Sequence, residues 1–350
     1  MTIHAQRSVA VGAIALAVLV DLAPTATACP AEPISPGRRV VFLGDSITYG
    51  GHWVAALEAA LRARDPEARF DFLALGLPSE TVSGLSEPDH PFPRPDVHER
   101  LARTLTKTKP ATVVACYGVN DGIYHPFDEA RFLAYQRGIE RLVVAVREAG
   151  AELVLITPPP FDPEPMRRAG KLREAGSKQF AWFAIYARYD DEVMARYADW
   201  IRRFAGTAGV ACVVDVRAPL LEHVARRRKA KPDFALSADG IHLDAEGNRV
   251  IAAAVLRALD ARASATEARR DAGFGAIDDL SRVPELARHP TLVTLVEKRQ
   301  NLLRDAWLSE IGHQRPGIEP GPPLAEAERR ASEIGAEIRA LLAKPADATR

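Results

Sequence analysis

The 350-residue chain has little cysteine and no net charge. Its three cysteines are too few for a disulfide framework, and no spacing of cysteine and histidine predicts a metal site. We therefore expect neither a metal nor another cofactor. The 46 basic side chains are balanced by 46 acidic ones. A nucleic-acid-binding protein normally carries a basic excess, so no nucleic-acid partner is expected.

Long apolar runs are also scarce, and the one near the N-terminus, Val9 to Val20, is too short for a comfortable membrane span. Arg7 precedes it and small residues follow it, an order that is typical of a secretory signal peptide. We predict a signal peptide over residues 1–28 and an exported protein, periplasmic or secreted, with no membrane span. Two alternatives stay open. One is lipid attachment at Cys29, although Ala26 stands where lipoprotein signals usually carry Leu; the other is an uncleaved anchor.

The other two cysteines, Cys116 and Cys212, lie in apolar, strand-like runs. We interpret both as small buried side chains that are free thiols. A bridge between them is the alternative in an oxidising compartment.

Short apolar runs alternate with amphipathic segments from about residue 38 to residue 262. Five strands are predicted: Val40–Leu43, Arg69–Leu75, Ala111–Tyr117, Glu152–Thr157 and Ala211–Val216. Six helices are predicted: Trp53–Arg64, Val97–Lys107, Asp128–Ala149, Asp190–Ala205, Pro219–Arg228 and Asp244–Arg262. The alternation predicts an α/β fold, with helices on both faces of a five-stranded parallel sheet.

Two irregular segments interrupt this pattern. The loop Leu77–Asp96 is long for a compact domain, and loops of that length are often functional or mobile. The Pro-rich, basic segment Phe161–Lys178 cannot be regular throughout, and we expect it to cross the top of the sheet near the site.

The composition changes after the α/β pattern, and residues 271–345 are predicted to form a C-terminal helical extension. A loop, Asp271–Ser281, leads to an apolar helical stripe from Leu292 to Trp307. The Gly/Pro-rich loop Ile311–Pro323 separates it from a second helix, Ala325–Ala343. The hairpin either packs on the α/β domain or shapes a substrate cleft or dimer contact. The sequence does not predict the oligomeric state.

The first strand ends in Gly44-Asp45-Ser46, just before a helix. Ser46 is therefore expected on a tight turn at the carboxyl end of a strand, where open α/β sheets place ligands. Backbone N–H groups at such a turn favour negative charge. Alone, such a serine is more often a helix N-cap.

Three further blocks follow in order: Gly76 after the second strand, Gly118-Val119-Asn120-Asp121 after the third, and Asp239-Gly240-Ile241-His242 near the end of the pattern. Together with Gly44-Asp45-Ser46 they resemble the SGNH hydrolases, or GDSL esterase/lipase family. The resemblance implies a three-layer α/β/α, flavodoxin-like sandwich with strand order 2-1-3-4-5.

The resemblance also implies a catalytic triad, with Ser46 as nucleophile, His242 as base and Asp239 as its partner. It implies an oxyanion hole formed by the backbone N–H groups of Ser46 and Gly76 and the side-chain amide of Asn120. Tyr49, Tyr124 and His125 are candidates for substrate contacts.

The second block departs from the family's frequent form, Asn-x-Gly-x-x-Gly-x-Thr. The corresponding positions hold Ala74, Gly76, Ser79 and Thr81. The oxyanion glycine and the threonine are kept, whereas the asparagine and the second glycine are not. The departure concerns the shape of the loop and of the acyl pocket.

The leading hypothesis is an exported serine esterase that removes small acyl groups, such as acetyl, from a small-molecule or carbohydrate ester. A lipase, lysophospholipase, thioesterase or acyltransferase could use the same residues. A non-catalytic exported binding protein with the same fold is the alternative outside enzymes.

Overall fold

The computed structural model describes residues 33–263, 280 and 284–343. The predicted signal peptide, Cys29 and nearly all of the predicted loop Asp271–Ser281 lie outside these residues.

Strands and helices alternate along the chain as predicted. The strands are β1 (Arg39–Gly44), β2 (Asp71–Ala74), β3 (Thr112–Cys116), β4 (Glu152–Ile156), β5 (Leu172–Arg173), β6 (Ile185–Tyr186) and β7 (Cys212–Val214). The helices are α1 (Ser46–Tyr49), α2 (His52–Arg64), α3 (Val97–Thr108), α4 (Glu129–Glu148), α5 (Pro163–Arg168), α6 (Ala195–Arg202), α7 (Arg217–Ala230), α8 (Ala245–Ala263), α9 (Pro284–Arg288), α10 (Leu292–Ile311) and α11 (Leu324–Leu342).

Five parallel strands form the main sheet in the order β2-β1-β3-β4-β7. This confirms the predicted order 2-1-3-4-5 and the α/β class. Every residue of β3 is buried, and so is every residue of β1 after Arg39. A strand that is buried on both faces needs this continuous run of Val, Leu, Phe and Ala.

The helices lie on both faces of the sheet. Right-handed crossovers run from β1 to β2 in one direction and from β2 to β3 in the other, so α2 and α3 cover opposite faces. Helix α8 packs against α2, and α4 packs against α3 and β4. Asp96 is the N-cap of α3 and Asp128 is the N-cap of α4, because the side chain of each accepts a backbone N–H in the first turn. Each cap fixes the residue at which its helix begins.

Local structure differs from the prediction in two places. A four-residue helix, α1, begins at Ser46, before the predicted helix start at Trp53. The predicted helix Asp190–Ala205 opens with a π-helical turn, Asp190–Met194. The segment Phe161–Lys178 is not regular throughout, as predicted, and contains the short elements α5 and β5. These are short elements whose hydrogen bonds depend on tertiary neighbours, which periodicity does not reveal.

Helices α10 and α11 pair with each other, and α10 packs on α2, β2 and α3. Their contact with α2 buries an apolar cluster: Ala55, Ala59, Leu292, Val296, Ile334 and Ile338. Beside this cluster, Gln300 Nε2 donates to the fully buried carboxylate of Glu58, at 2.6 Å. The hairpin therefore packs on the α/β domain, which was one of the two alternatives.

The two strand cysteines are both buried, as predicted. Cys116 is a free thiol, so the alternative of a Cys116–Cys212 bridge is wrong. Cys212 is disulfide-bonded, so the expectation that it is a free thiol is also wrong. In the part of the chain that is described, no helix has the length and apolar character needed to cross a bilayer.

Candidate active site

Ser46 lies on the tight turn between β1 and α1. Asp45 caps α1, because its Oδ1 accepts the N–H of Ile47 at 2.9 Å. A side chain at Gly44 would place its Cβ 2.4 Å from Thr48 Oγ1 and 2.8 Å from the carbonyl oxygen of Cys116. The turn can therefore close only with glycine at position 44.

The side chains of Ser46, His242 and Asp239 form one hydrogen-bonded chain. Ser46 Oγ lies 2.8 Å from His242 Nε2, and His242 Nδ1 lies 2.6 Å from Asp239 Oδ2. The side chains of His242 and Asp239 are 54% and 46% exposed, so these three hydrogen-bonded side chains are accessible from solvent. The three predicted catalytic residues are thus brought together at the carboxyl edge of the sheet.

Asp239 is held as a carboxylate by several donors. Its Oδ1 accepts the hydroxyl of Ser237 at 2.8 Å and the N–H groups of Ile241 and His242 at 2.9 and 2.8 Å. Burial alone would raise the pKa of Asp239. The hydrogen bonds from the ring and backbone of His242 and from Ile241 outweigh that effect and lower the pKa well below its usual range.

The same contact raises the pKa of His242. The hydrogen bond to Asp239 favours the imidazolium, whereas burial opposes it, and the net pKa lies above the usual value for histidine. Because Asp239 bonds Nδ1, Nε2 of the neutral ring is the acceptor that faces Ser46. This is the tautomer that can take a proton from a hydroxyl group.

A second contact fixes the loop that carries Asp239 and His242. Gly240 has φ +78°, and a Cβ there would lie 2.2 Å from the carbonyl oxygen of Asp162. The carbonyl of Gly240 accepts the N–H of Asp162 at 2.9 Å. Arg228 Nη2 donates to both carboxylate oxygens of Asp162, at 2.9 and 2.7 Å. Asp162 and Arg228 therefore brace the loop from behind, and no sequence motif pointed to them.

The backbone N–H groups of Ser46 and Gly76 are free to bind an anion. Among the described residues, no hydrogen bond uses the N–H of Ser46 or of Gly76. Leu77 N donates to the carbonyl of Gly44 at 2.9 Å, and Gly44 is paired with Cys116. The segments that follow β1, β2 and β3 are therefore neighbours at one edge of the sheet.

Gly76 lies so close to the Ser46 turn that only glycine fits at this position. A Cβ added there would lie 2.3 Å from Tyr49 N, 2.7 Å from the carbonyl carbon of Thr48 and 2.8 Å from the carbonyl oxygen of Asp45. All three atoms belong to the backbone, so a side chain at this position would displace the turn itself.

The amide of Asn120 is oriented from both ends. Its Nδ2 donates to the carbonyl of Glu80 at 3.2 Å, and its Oδ1 accepts the hydroxyl of Tyr124 at 2.8 Å. One N–H of the amide is left to donate elsewhere. Ile123 and Tyr124 have φ values of +44° and +61°, a strained conformation for such side chains, which is common at functional sites.

A buried ion pair supports this part of the edge. Arg100 donates two 2.7 Å hydrogen bonds to Glu80, and Tyr117 donates a third, also at 2.7 Å. All three side chains are buried. Arg100 occupies the buried face of α3, beside Val97 and Leu101. A charged residue on an apolar helix face was the signal that could have revealed this pair.

Two more buried carboxyl groups lie close to the site. Burial raises the pKa of Asp45 to about 7, although its bond from Ile47 N–H and the nearby His242 lower it. Burial raises the pKa of Asp121 to about 6, against the bonds from Ser83 and Val82. Both carboxyl groups therefore release their proton at a higher pH than an exposed aspartate does.

The three residues predicted to contact substrate have different surroundings. Tyr49 is half-buried, with the guanidinium of Arg304 4.1 Å from its ring centre. Tyr124 is buried, and its hydroxyl is used by Asn120. His125 is half-buried, with its ring 5.0 Å from that of Phe180. Their contact with a substrate stays a prediction. Within the described ranges, no group of three or more His, Cys, Asp and Glu is arranged to hold a metal ion.

The fold resembles that of a gut microbial diltiazem-metabolizing enzyme, with a TM-score of 0.51 and 20% identity. That match covers 65% of this chain but only 48% of the other, so the chain spans about half of the enzyme's length.

Two further solved structures match with lower TM-scores. An acetyl xylan esterase has a TM-score of 0.43 and 18% identity over 62% of this chain and 97% of its own. A carbohydrate acetylesterase family member from Sinorhizobium meliloti has a TM-score of 0.43 and 23% identity over 63% of this chain and 98% of its own. No curated protein matches the sequence.

The GDSL-like Lipase/Acylhydrolase family matches residues 42–250, which is more than half of the chain and includes all four sequence blocks. The chain belongs to this family of carboxylic ester hydrolases.

Proposed function

We propose that the protein is an exported serine esterase that removes small acyl groups, above all acetyl, from carbohydrate esters. The observation that carries the proposal is the hydrogen-bonded chain from Ser46 Oγ through His242 to Asp239, with links of 2.8 and 2.6 Å. A serine hydroxyl is a weak nucleophile at neutral pH unless a base removes its proton.

In the first step, Ser46 Oγ attacks the ester carbonyl carbon while its proton moves to His242 Nε2. The new C–O bond gives a tetrahedral oxyanion. Collapse of that intermediate breaks the bond to the alcohol, which takes the proton from His242. Water then attacks the acyl-enzyme with His242 again as base, which releases the acid and restores Ser46. Asp239 stabilises the imidazolium in both steps.

Three donors would stabilise the oxyanion: the N–H groups of Ser46 and Gly76 and the free N–H of Asn120. The first two have no other partner among the described residues, and the third is aimed by Tyr124 and Glu80. Donors that are fixed before reaction lose no energy to reorganisation in the transition state. Removing one such donor typically costs about 2.7–4 kcal/mol of transition-state stabilisation.

The open site supports a substrate with a bulky alcohol part. His242 and Asp239 are about half exposed. Trp182, which is 50% exposed, belongs to the segment that lies against Tyr124 and His125. In that segment Tyr186 N donates to the carbonyl of Tyr124 at 3.0 Å, and Phe180 packs on His125. An exposed aromatic face on the segment that contacts Tyr124 suits the C–H face of a sugar ring.

A lipase or thioesterase acting on longer acyl chains is the second candidate, and one cavity favours it. A cavity of about 330 Å³ lies between α2, α8 and α10. Its apolar lining includes Ala56, Leu243, Leu280, Leu286 and Val293. Leu243, which lines this cavity, directly follows His242 in the sequence, and the second candidate rests on that link.

Export is proposed from residues 1–28 alone, whose order of basic, apolar and small residues is typical of a signal peptide.

The first test compares the mature chain with Ser46→Ala on p-nitrophenyl acetate, butyrate, octanoate and palmitate. We expect the rate to fall with chain length and Ser46→Ala to lower it by more than about 10³-fold, because the nucleophile is lost. A preference for octanoate or palmitate would favour the lipase alternative. Folded wild-type protein with no Ser46-dependent hydrolysis of any ester would contradict the proposal and favour a binding protein.

The pH profile tests the role of His242. Only neutral His242 can act as base, so kcat/KM should rise about tenfold per pH unit below its pKa and level off above it. Because Asp239 raises that pKa, the midpoint should lie above the usual value of about 6.5. Asp239→Asn should move the midpoint to lower pH and lower kcat by up to about 10⁴-fold, as in other serine triads. An unchanged midpoint in this variant would refute the assigned pairing.

Trp182→Ala tests the carbohydrate substrate. Loss of an aromatic contact worth about 1 kcal/mol should raise KM about fivefold on acetylated xylo-oligosaccharides and leave p-nitrophenyl acetate kinetics unchanged. Leu221→Ala is the matched control, because Leu221 is also an exposed apolar side chain, at 42%. Equal KM values for Trp182→Ala and wild type on the oligosaccharides would exclude this contact.

A further inference from the structure

We propose that Arg304, on the C-terminal helical hairpin, is a positioning residue for the turn that carries Ser46 and for the Gly76 donor beside it. This inference rests on the proposed function, because it concerns the same nucleophile. The family match ends at residue 250, so α10, which carries Arg304, lies outside the matched region. The hairpin would thus supply a component of the active site that the family does not account for.

Arg304 is held in one orientation against the Ser46 turn. It is only 9% exposed. Its Nη1 donates to the carbonyl of Tyr49 at 2.7 Å and to Oδ1 of Asn301 at 2.8 Å. Its Nε donates to Asp305 at 2.9 Å, and its guanidinium lies 4.1 Å from the centre of the Tyr49 ring. One residue therefore grips both the backbone and the side chain of Tyr49.

Tyr49 is the last residue of α1, and Ser46 is the first. The carbonyl groups at a helix C-terminus lack partners within the helix and carry partial negative charge, so a cation there is stabilising. Tyr49 N donates to the carbonyl of Asp45 at 2.8 Å, and Gly50 N donates to that of Ser46 at 2.9 Å. Within so short a helix, a fixed Tyr49 leaves Ser46 little freedom to move.

The contact between Arg304 and Tyr49 also affects the backbone N–H of Gly76, the second proposed oxyanion donor. The position of a Cβ on Gly76 would be 2.3 Å from Tyr49 N, so the two backbones touch without any intervening side chain. A shift of Tyr49 must therefore move Gly76 or open a gap beside it. Arg304 acts on both backbone donors through this one residue.

The hairpin is anchored by contacts that do not involve Arg304. Gln300 donates to buried Glu58 on α2, at 2.6 Å. Arg103 on α3 donates to the carbonyl of Ile311 at 2.9 Å, and Lys107 bonds the side chain of Glu310 at 2.6 Å. Arg315 lies 4.2 Å from the ring centre of Phe92, in the loop that follows Gly76. The docking of the hairpin and the grip on Tyr49 can thus be changed separately.

The test measures kcat and KM on p-nitrophenyl acetate in the full mature chain. Arg304→Met keeps the length of the side chain and removes its donors. We expect kcat to fall about 10- to 100-fold, since a misplacement of about 1 Å can cost 10²-fold, while KM stays within about twofold. Arg304→Lys, which can still donate to the Tyr49 carbonyl, should recover part of the rate. Added guanidinium ion, at concentrations below those that unfold the protein, should partly rescue Arg304→Met.

Gln300→Met is the matched control from the same helix. It removes a buried contact of the hairpin and should lower the thermal midpoint, but kcat per folded molecule should stay within about twofold of wild type. If Arg304→Met does not fold, Asn301→Ala replaces it, because this change frees one side of the guanidinium; kcat should then fall several-fold at constant KM.

Three outcomes would overturn the inference. One is folded Arg304→Met with the kcat of wild type. Another is that Gln300→Met, at the same loss of stability as Arg304→Met, loses as much kcat. That result would indicate that any weakening of the contact between the hairpin and the α/β domain lowers kcat. The third is a wild-type kcat in Asn301→Ala where Arg304→Met does not fold. Failure of the proposed function looks different, because wild type would then show no hydrolysis that depends on Ser46.

Discussion

The site depends on the direct contact between the backbone of Gly76 and the turn that carries Ser46. The backbone atoms of the Ser46 turn lie so close to Gly76 that no side chain fits at position 76. The contact exists because β1 and β2 are parallel neighbours whose ends lie side by side, with Leu77 bonded to Gly44. Through it, the proposed nucleophile and one of its oxyanion donors become parts of one rigid unit. The C-terminal hairpin reaches that unit through Tyr49.

The acidic groups around the site have different partners and different pKa values. Glu80 is paired with Arg100, and its carbonyl helps to orient Asn120. Asp239 has donors enough to stay ionised and to raise the pKa of His242. Asp45 has less compensation, and its pKa rises to about 7. Of these carboxyl groups, Asp239 is the one whose pKa is lowered, so the residue that bonds the imidazole keeps its negative charge.

Much of the fold and the predicted triad followed from the sequence, because both depend on local patterns. Continuous apolar runs predicted the buried strands, and the four short blocks predicted which residues lie at their ends. The supporting contacts did not follow. Arg228 with Asp162 and Arg304 with Tyr49 join residues that are far apart in the chain, and neither pair belongs to a motif. Tyr124 was recognised as a residue near the site, but its bond to Asn120 requires two consecutive left-handed residues that no pattern predicts.

Covalent labelling is the direct test of whether Ser46 is an activated nucleophile. Folded mature protein would be treated with a fluorophosphonate at neutral pH, and the modified residue would be located by peptide mass spectrometry. We expect one adduct, on Ser46, that forms much more slowly in His242→Ala and is absent from Ser46→Ala. An unlabelled Ser46 in folded wild-type protein, or equal labelling rates with and without His242, would contradict it.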